Sequence, residues 1–229
     1  MACSSCSLRE LCLPAGLGAR EMEHVDRLVD QRRRLKRGEH LYGAGAPLAA
    51  LFAVRSGFMK SCILQNDGRE QVAGFHMMGD LVGMDAISSG RHMCDTVALE
   101  DTEVCEIPYA YLERLSRELP SLQHQLHRIM SREIVRDYGV MMLLGSMKAE
   151  ERLAAFLLNL SQRFAVRGYS STEFNLRMTR EEIGSYLGLK LETISRVLQR
   201  FHQDGLIEVR HRQVRIRDAD ALRGMLGQR

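Results

Sequence analysis

A punctuation pattern near the C-terminus constrains this chain most. Thr179-Arg180-Glu181-Glu182 reads as a capping box: a hydroxyl and a carboxylate three residues apart can satisfy the first free amides of a helix, whose apolar positions are Ile183, Tyr186 and Leu187. Gly188 stops that helix. A second helix, Leu191 to His202, ends at Asp204-Gly205, and two strand-like runs follow, Leu206 to Val209 and Val214 to Ile216, joined by Arg210-His211-Arg212-Gln213. Helix, tight turn, helix and hairpin make up a winged helix-turn-helix.

The second helix sorts its residues by face. Ile194, Val197, Leu198 and Phe201 form a stripe that must be buried, leaving Glu192, Ser195, Arg196 and Gln199 on the opposite face. These side chains suit the major groove: Arg can donate to O6 and N7 of guanine, Glu can accept from N4 of cytosine, and Ser can do either. Arg180, Lys190, Arg200, Arg210 and Arg212 are candidate phosphate contacts. Charge is distributed to match. The formal net charge is +3, yet from Arg177 onward eleven Lys/Arg face seven Asp/Glu, so the rest of the chain is close to neutral.

The middle of the chain has another texture. From Gly38 to about Pro108 short apolar runs are divided by turn residues: Leu51 to Val54 precedes Ser56-Gly57, Met59 to Leu64 precedes Asn66-Asp67-Gly68, and Gln71 to Phe75 precedes Gly79-Asp80. This spacing predicts an antiparallel β-barrel or sandwich with a hairpin at Asp67-Gly68. Ala19 to Lys36 reads as a preceding helix with Met22, Val25, Leu28 and Val29 on one face. Helical periodicity returns at Tyr109, and a long stretch from Pro120 to Met147 carries Leu126, Met130, Ile134, Met141 and Leu144 as a seam suited to another helix, in a dimer or against the chain's own barrel. Asp137 interrupts it. In a symmetric dimer two such carboxylates would approach each other and weaken association, which would make dimerisation switchable.

At the other end Cys3, Cys6 and Cys12 crowd the first twelve residues. Thiolates are soft ligands that select iron-sulfur clusters, zinc or copper(I), and such sites commonly take four of them. Cys62, Cys94 and Cys105 are the candidates for the fourth. Met1 to Cys6 has no basic segment leading into an apolar run, which predicts a cytoplasmic protein in which clustered thiols bind metal or sense redox state instead of forming disulfides. No apolar run reaches the length of a membrane span. There is also no Gly-rich nucleotide loop, nucleophile elbow or acid-base pair, so an enzyme is not expected.

Taken together, the chain resembles the cyclic AMP receptor protein superfamily, and within it the oxygen-sensing fumarate and nitrate reduction regulator (FNR) group. The resemblance rests on Cys3 to Cys12 with Leu13-Pro14, Arg55-Ser56-Gly57, Gly79-Asp80-Leu81-Val82-Gly83, Val104-Cys105-Glu106-Ile107-Pro108, Ala149 to Phe156 and Glu192-Thr193-Ile194-Ser195-Arg196. It implies an α+β fold: a jelly-roll-type antiparallel β-barrel, a long dimerisation helix and a winged helix-turn-helix. The expected division is a cysteine segment over 1–16, the barrel with a flanking helix over 17–118, the dimerisation helix over 119–147 and the DNA-binding domain over 148–229. The resemblance nominates Cys105 as the fourth ligand of a 4Fe-4S cluster that forms without oxygen, promotes dimerisation and is destroyed by oxygen. Cys62 is then expected to pack in a strand, while Cys94, near Cys105 in sequence, keeps a substitute ligand role open.

The resemblance further implies a palindromic operator of the TTGAT…ATCAA type read by Glu192, Thr193, Ser195 and Arg196, and contact with RNA polymerase, for which Asn66-Asp67-Gly68 is a candidate surface. Relatives that hold a cyclic nucleotide use an Arg followed by Ser or Thr. Here Cys94-Asp95-Thr96 would set a carboxylate against the phosphate, so no cyclic nucleotide is expected. His76, His92 and His124 leave haem open by motif, but the cysteines make it superfluous. Two alternatives remain: the same fold gated by zinc or thiol oxidation, and an iron-sulfur redox protein.

Overall fold

The computed structural model describes residues 3–29, 31–65 and 68–227. The chain divides into two compact units, Met1–Val135 and Arg136–Arg229.

In the first unit a 3-10 turn (Cys3–Ser5) precedes helix α1 (Ala19–Asp26), and eight strands follow: β1 (Gln31–Leu35), β2 (His40–Tyr42), β3 (Ala50–Ser56), β4 (Phe58–Leu64), β5 (Glu70–Met77), β6 (Leu81–Val82), β7 (Asp95–Ala98) and β8 (Thr102–Pro108). They do not close into a barrel. Two four-stranded antiparallel sheets, in the orders β1-β8-β3-β6 and β2-β7-β4-β5, form a jelly-roll-like sandwich. Asn66 and Asp67, the expected hairpin turn and polymerase-facing loop, lie outside the described residues.

The first sheet is buried on both faces. Phe52, Val54, Val82 and Val104 point into the core shared by Met59 and Ala98, whereas Leu51, Ala53, Leu81 and Ile107 meet a second core built from Leu13, Val25, Leu28, Leu112, Leu115 and Leu122. This explains why β3 reads as an unbroken apolar run, since a strand covered on both faces has no polar side to show. It also places Cys105 and Cys12 at the margin of the second core.

The helix expected over Ala19 to Lys36 ends at Asp26, and Gln31–Leu35 is strand β1. Its apolar spacing does bury Met22, Val25 and Leu28, but the next helical positions are arginines with nothing to bury. Instead β1 pairs with β8 at the sheet edge, where exposed Arg33 and Arg34 oppose edge-to-edge pairing with other chains. After β8, α2 (Tyr109–Glu118) ends at an extended Leu119 ahead of Pro120, which opens α3 (Pro120–Ser146). Early in α3, Leu122, Gln125 and Ile129 are buried. From Ser131 to Ser146 no α3 residue is buried, and Ile134, Tyr138, Met141 and Met142 are each at least half exposed.

The second unit holds the end of α3, α4 (Ala149–Val166), β9 (Glu173–Asn175), α5 (Arg180–Leu187), α6 (Leu191–Gln203), the hairpin β10 (Ile207–Arg210) and β11 (Gln213–Ile216), and α7 (Ala219–Gly224). Thr179 caps α5 as expected: its hydroxyl accepts from Glu182 N at 3.1 Å while Glu182 Oε2 accepts from Thr179 N at 2.7 Å. Gly188 ends α5 in the left-handed conformation, φ 62°. The helices cross closely at Gly184, whose carbonyl accepts from Leu189 N at 2.8 Å. Strand β9, which no sequence signal marked, pairs with β11 to make the wing a three-stranded sheet. Arg152 on α4 donates to three carbonyls, Leu144 O at 3.0 Å, Met147 O at 2.9 Å and Leu187 O at 3.0 Å. It thereby satisfies acceptors that the ends of α3 and α5 leave free.

Candidate functional site: a cysteine pocket and a DNA-reading helix

The segment carrying Cys3, Cys6 and Cys12 folds as successive tight turns, with Cys6 N donating to Cys3 O at 3.1 Å, Arg9 N to Cys6 O at 3.1 Å and Cys12 N to Leu8 O at 3.0 Å. It is fastened at several points. Ser4 donates from N and Oγ to the Asp26 carboxylate at 2.9 and 2.7 Å, Arg9 donates to Leu17 O at 2.9 Å, and Gln125 on α3 reaches Cys12 O at 3.5 Å. Leu13 is buried beneath it. Leu11 lies against Gly79, where φ is +88° and a Cβ would come within 2.9 Å of the Leu11 Cβ, so only glycine lets the segment sit this close to the turn before β6.

These turns bring Cys3, Cys6 and Cys12 to one pocket with Cys105 of β8, lined mainly by apolar side chains such as Leu8, Leu13, Val25, Leu28 and Ile107. Burial pushes the Cys12 thiol up to about 12 and the Cys3 thiol up to about 11, and the neighbouring cysteines add to both. Cys105 is raised by burial too, but Arg32 and Arg55 hold it back. In this state the uncharged thiols are favoured until a cation takes the place of their protons. Among the described residues no three His, Cys, Asp or Glu groups stand in a ready metal-binding array, so the thiols share a pocket without closing on one another.

The other cysteines lie elsewhere. Cys62 is buried in β4. Cys94, near Cys105 in sequence, is turned toward Asp85 and Cys62 and does not line the pocket, because the chain between them runs through β7 and into another sheet. His76 and His92 serve the sandwich: His76 Nε2 is 2.9 Å from Ser61 Oγ, while His92 stacks on Tyr42 with centroids 3.7 Å apart and sits 3.3 Å from Asp85 Oδ1. His124 is exposed on α3. Asp95 accepts from Ala44 N at 2.9 Å, and Thr96 shares a hydrogen bond with Ser61.

On α6, Ile194, Val197, Leu198 and Phe201 are buried, while Glu192, Arg196 and Gln199 are exposed and Thr193 and Ser195 half-buried. Arg180 Nη1 donates to Ser195 Oγ at 3.1 Å, which joins the start of α5 to the exposed face of α6. Lys190 is the exposed N-cap of α6. Like Arg180, three other expected phosphate contacts have protein partners: Arg200 is 3.3 Å from Glu150, Arg210 is 2.7 Å from Glu208, and Arg212 donates to Arg177 O at 3.3 Å. Along α3, Leu126 and Met130 are half-buried and Ile134, Asp137, Met141 and Leu144 exposed.

Sequence reasoning missed Arg32, Arg55 and Glu103 beside Cys105. Their closeness follows from cross-strand register, Arg32 opposite Cys105 and Cys105 opposite Ala53, which a single sequence does not display.

Known proteins agree with this layout. Residues 151–225 match the model of the Crp-like helix-turn-helix domain and residues 32–118 that of the cyclic nucleotide-binding domain. The transcriptional regulatory protein btr of Bordetella pertussis is 50% identical over 226 residues, 99% of this chain and 93% of that protein. The fumarate and nitrate reduction regulatory protein of Escherichia coli K12 is 46% identical over 225 residues, 98% of this chain and 90% of that protein. Among solved structures, FixK2 from Bradyrhizobium japonicum superposes with a TM-score of 0.79 at 31% identity, covering 85% of this chain and 96% of that one. No helix among the described residues is long and apolar enough to cross a membrane. The chain belongs to the Crp/Fnr family of transcription regulators, with the fumarate and nitrate reduction regulatory proteins among its relatives.

Proposed function

We propose that this regulator responds to oxygen through a 4Fe-4S cluster held by Cys3, Cys6, Cys12 and Cys105. The observation that carries this reading is the gathering of these four thiols, three from one end of the chain and one from a strand a hundred residues away, in a single largely apolar pocket. The donor set fits such a group: four soft sulfur ligands in a site with almost no competing oxygen ligand. When bound, the cluster supplies a centre that oxygen attacks. The chain's own part is to hold the segment down through Ser4, Arg9 and Leu13, and to keep bulk water from the thiols with Leu8, Val25 and Ile107.

The output is occupancy of DNA, not turnover of a substrate. Glu192, Thr193, Ser195, Arg196 and Gln199 read base edges in a TTGAT…ATCAA-type palindrome, while Arg180 and Lys190 hold phosphates. Two chains associate along α3 through Leu126, Met130, Ile134, Met141 and Leu144, with Asp137 keeping the cluster-free pair weak. Contact with RNA polymerase completes the role of a cytoplasmic regulator.

The test is anaerobic absorbance with iron and sulfide analysis, repeated in air while binding to a palindromic fragment is followed. Loss of the absorbance together with DNA binding is the expected result. A spectrum stable in air with unchanged binding overturns the oxygen switch, and a colourless protein containing zinc overturns the cluster.

A further inference from the structure

A pocket of thiolates around a metal cluster is net negative, and this one is lined largely by apolar side chains, so positive charge close by stabilises it. Of the three consecutive arginines on β1, Arg33 and Arg34 are exposed, whereas the Arg32 side chain keeps 24% of its surface. Register sets Arg32 apart from Arg33, which points to the other face, while Arg34 shares the Arg32 face but pairs with Glu103, two residues along β8 from the cysteine. Arg32 pairs with Cys105 across β1 and β8, so both side chains lie on the face of the sheet that meets the cysteine segment.

Glu103, two residues before Cys105 and on the same face, fixes the cation. Its carboxylate stands 3.7 Å from Arg32 Nη1 and 3.7 Å from Arg55 Nε. Burial raises the Cys105 thiol, and the Arg32 and Arg55 guanidiniums beside it hold it back.

We infer that Arg32, braced by Glu103 and seconded by Arg55, is the positioning residue of the cysteine site: it orients Cys105 and offsets the negative charge of the bound thiolate centre. This rests on the cysteine reading proposed above. Outer partners of metal ligands commonly change affinity by roughly 10- to 100-fold when removed.

The test compares full-length wild type with Arg32→Gln, Arg32→Lys and, as an equal change of charge at an exposed site, Arg37→Gln. Two quantities are read: cobalt(II) affinity of the reduced, cluster-free protein from its sulfur-to-cobalt absorption, and iron, sulfide and midpoint potential after anaerobic reconstitution. Arg32→Gln should bind cobalt roughly 10- to 100-fold more weakly and carry a cluster of lower potential, Arg32→Lys should recover part of both, and Arg37→Gln should match wild type. If Arg32→Gln is too unstable to measure, Arg32→Lys decides, because it keeps the charge and loses the planar guanidinium. Wild-type values in Arg32→Gln, or in Arg32→Lys where that variant decides, overturn the inference. A wild type that binds cobalt at the cysteines but takes up no iron and sulfide sinks the cluster and leaves Arg32 standing; one that binds neither sinks both.

Discussion

Gly184 sets two physical effects against each other. As an interior residue of α5 it should gain about 0.5–1 kcal/mol from replacement by alanine, through reduced freedom of the unfolded backbone. The helix crossing opposes this. A Cβ at Gly184 would stand 2.5 Å from the Leu189 carbonyl oxygen, a backbone atom that cannot rotate away. An ordinary carbon–oxygen contact is about 3.3–3.6 Å, so the turn between α5 and α6 must open by about 1 Å. Overpacking of that kind costs about 1–3 kcal/mol, and straining the Leu189 N to Gly184 O bond adds about 0.5–1.5. The clash should win by about 0.5–4 kcal/mol, which is about a 2- to 900-fold acceleration of amide exchange. The assay is hydrogen exchange of the intact protein, resolved to α5 and α6. Gly139, also helical but with nothing within 4 Å of its would-be Cβ, supplies the contrast: Gly139→Ala should slow exchange in α3. Slower exchange in α5 and α6 of Gly184→Ala would mean that propensity outweighs the crossing, and the packing described for this turn would be wrong.

Serine at any one of Cys3, Cys6, Cys12 or Cys105 should abolish iron and sulfide uptake, whereas serine at Cys62 or Cys94 should leave both intact; elemental analysis separates the two groups. Asp137→Ala should shift the metal-free protein toward dimer in sedimentation equilibrium, and an unchanged distribution would remove Asp137 from the switch. Thr179→Ala should cost about 1 kcal/mol by removing the α5 cap, read as faster exchange at the Glu182 amide. Arg196→Ala should weaken binding to the palindromic fragment by about 1–3 kcal/mol and relax preference at one base pair, as fluorescence anisotropy on substituted fragments can measure.

The DNA-reading end was legible because its signals are local. A cap, a left-handed glycine and an apolar stripe each act within a few residues, and Thr179, Gly188 and the Ile194 to Phe201 stripe all hold the places the sequence suggested. The sandwich was legible as strands but not as sheets, since pairing β1 with β8 joins residues some seventy positions apart. The arginines of β1 read as helix for that reason: charge-rich periodicity looks alike in a solvated helix and an edge strand. Cys105 could be nominated only by resemblance, and Cys94 looked eligible because distance along the chain hides which sheet a strand joins. The cations around the cysteines stayed invisible for the same reason.

Arg152 has a consequence for how motion travels in the second unit. A guanidinium is a rigid plane, and the carbonyls it holds belong to the last turn of α3, to Met147 in the connection and to the end of α5. Residues 147 and 148 therefore work as a coupling and not as a hinge. Torque applied to the final turns of α3 cannot be spent in a slack joint; it is handed to α5, and through the tight crossing at Gly184 to the helix that carries Glu192, Ser195 and Arg196.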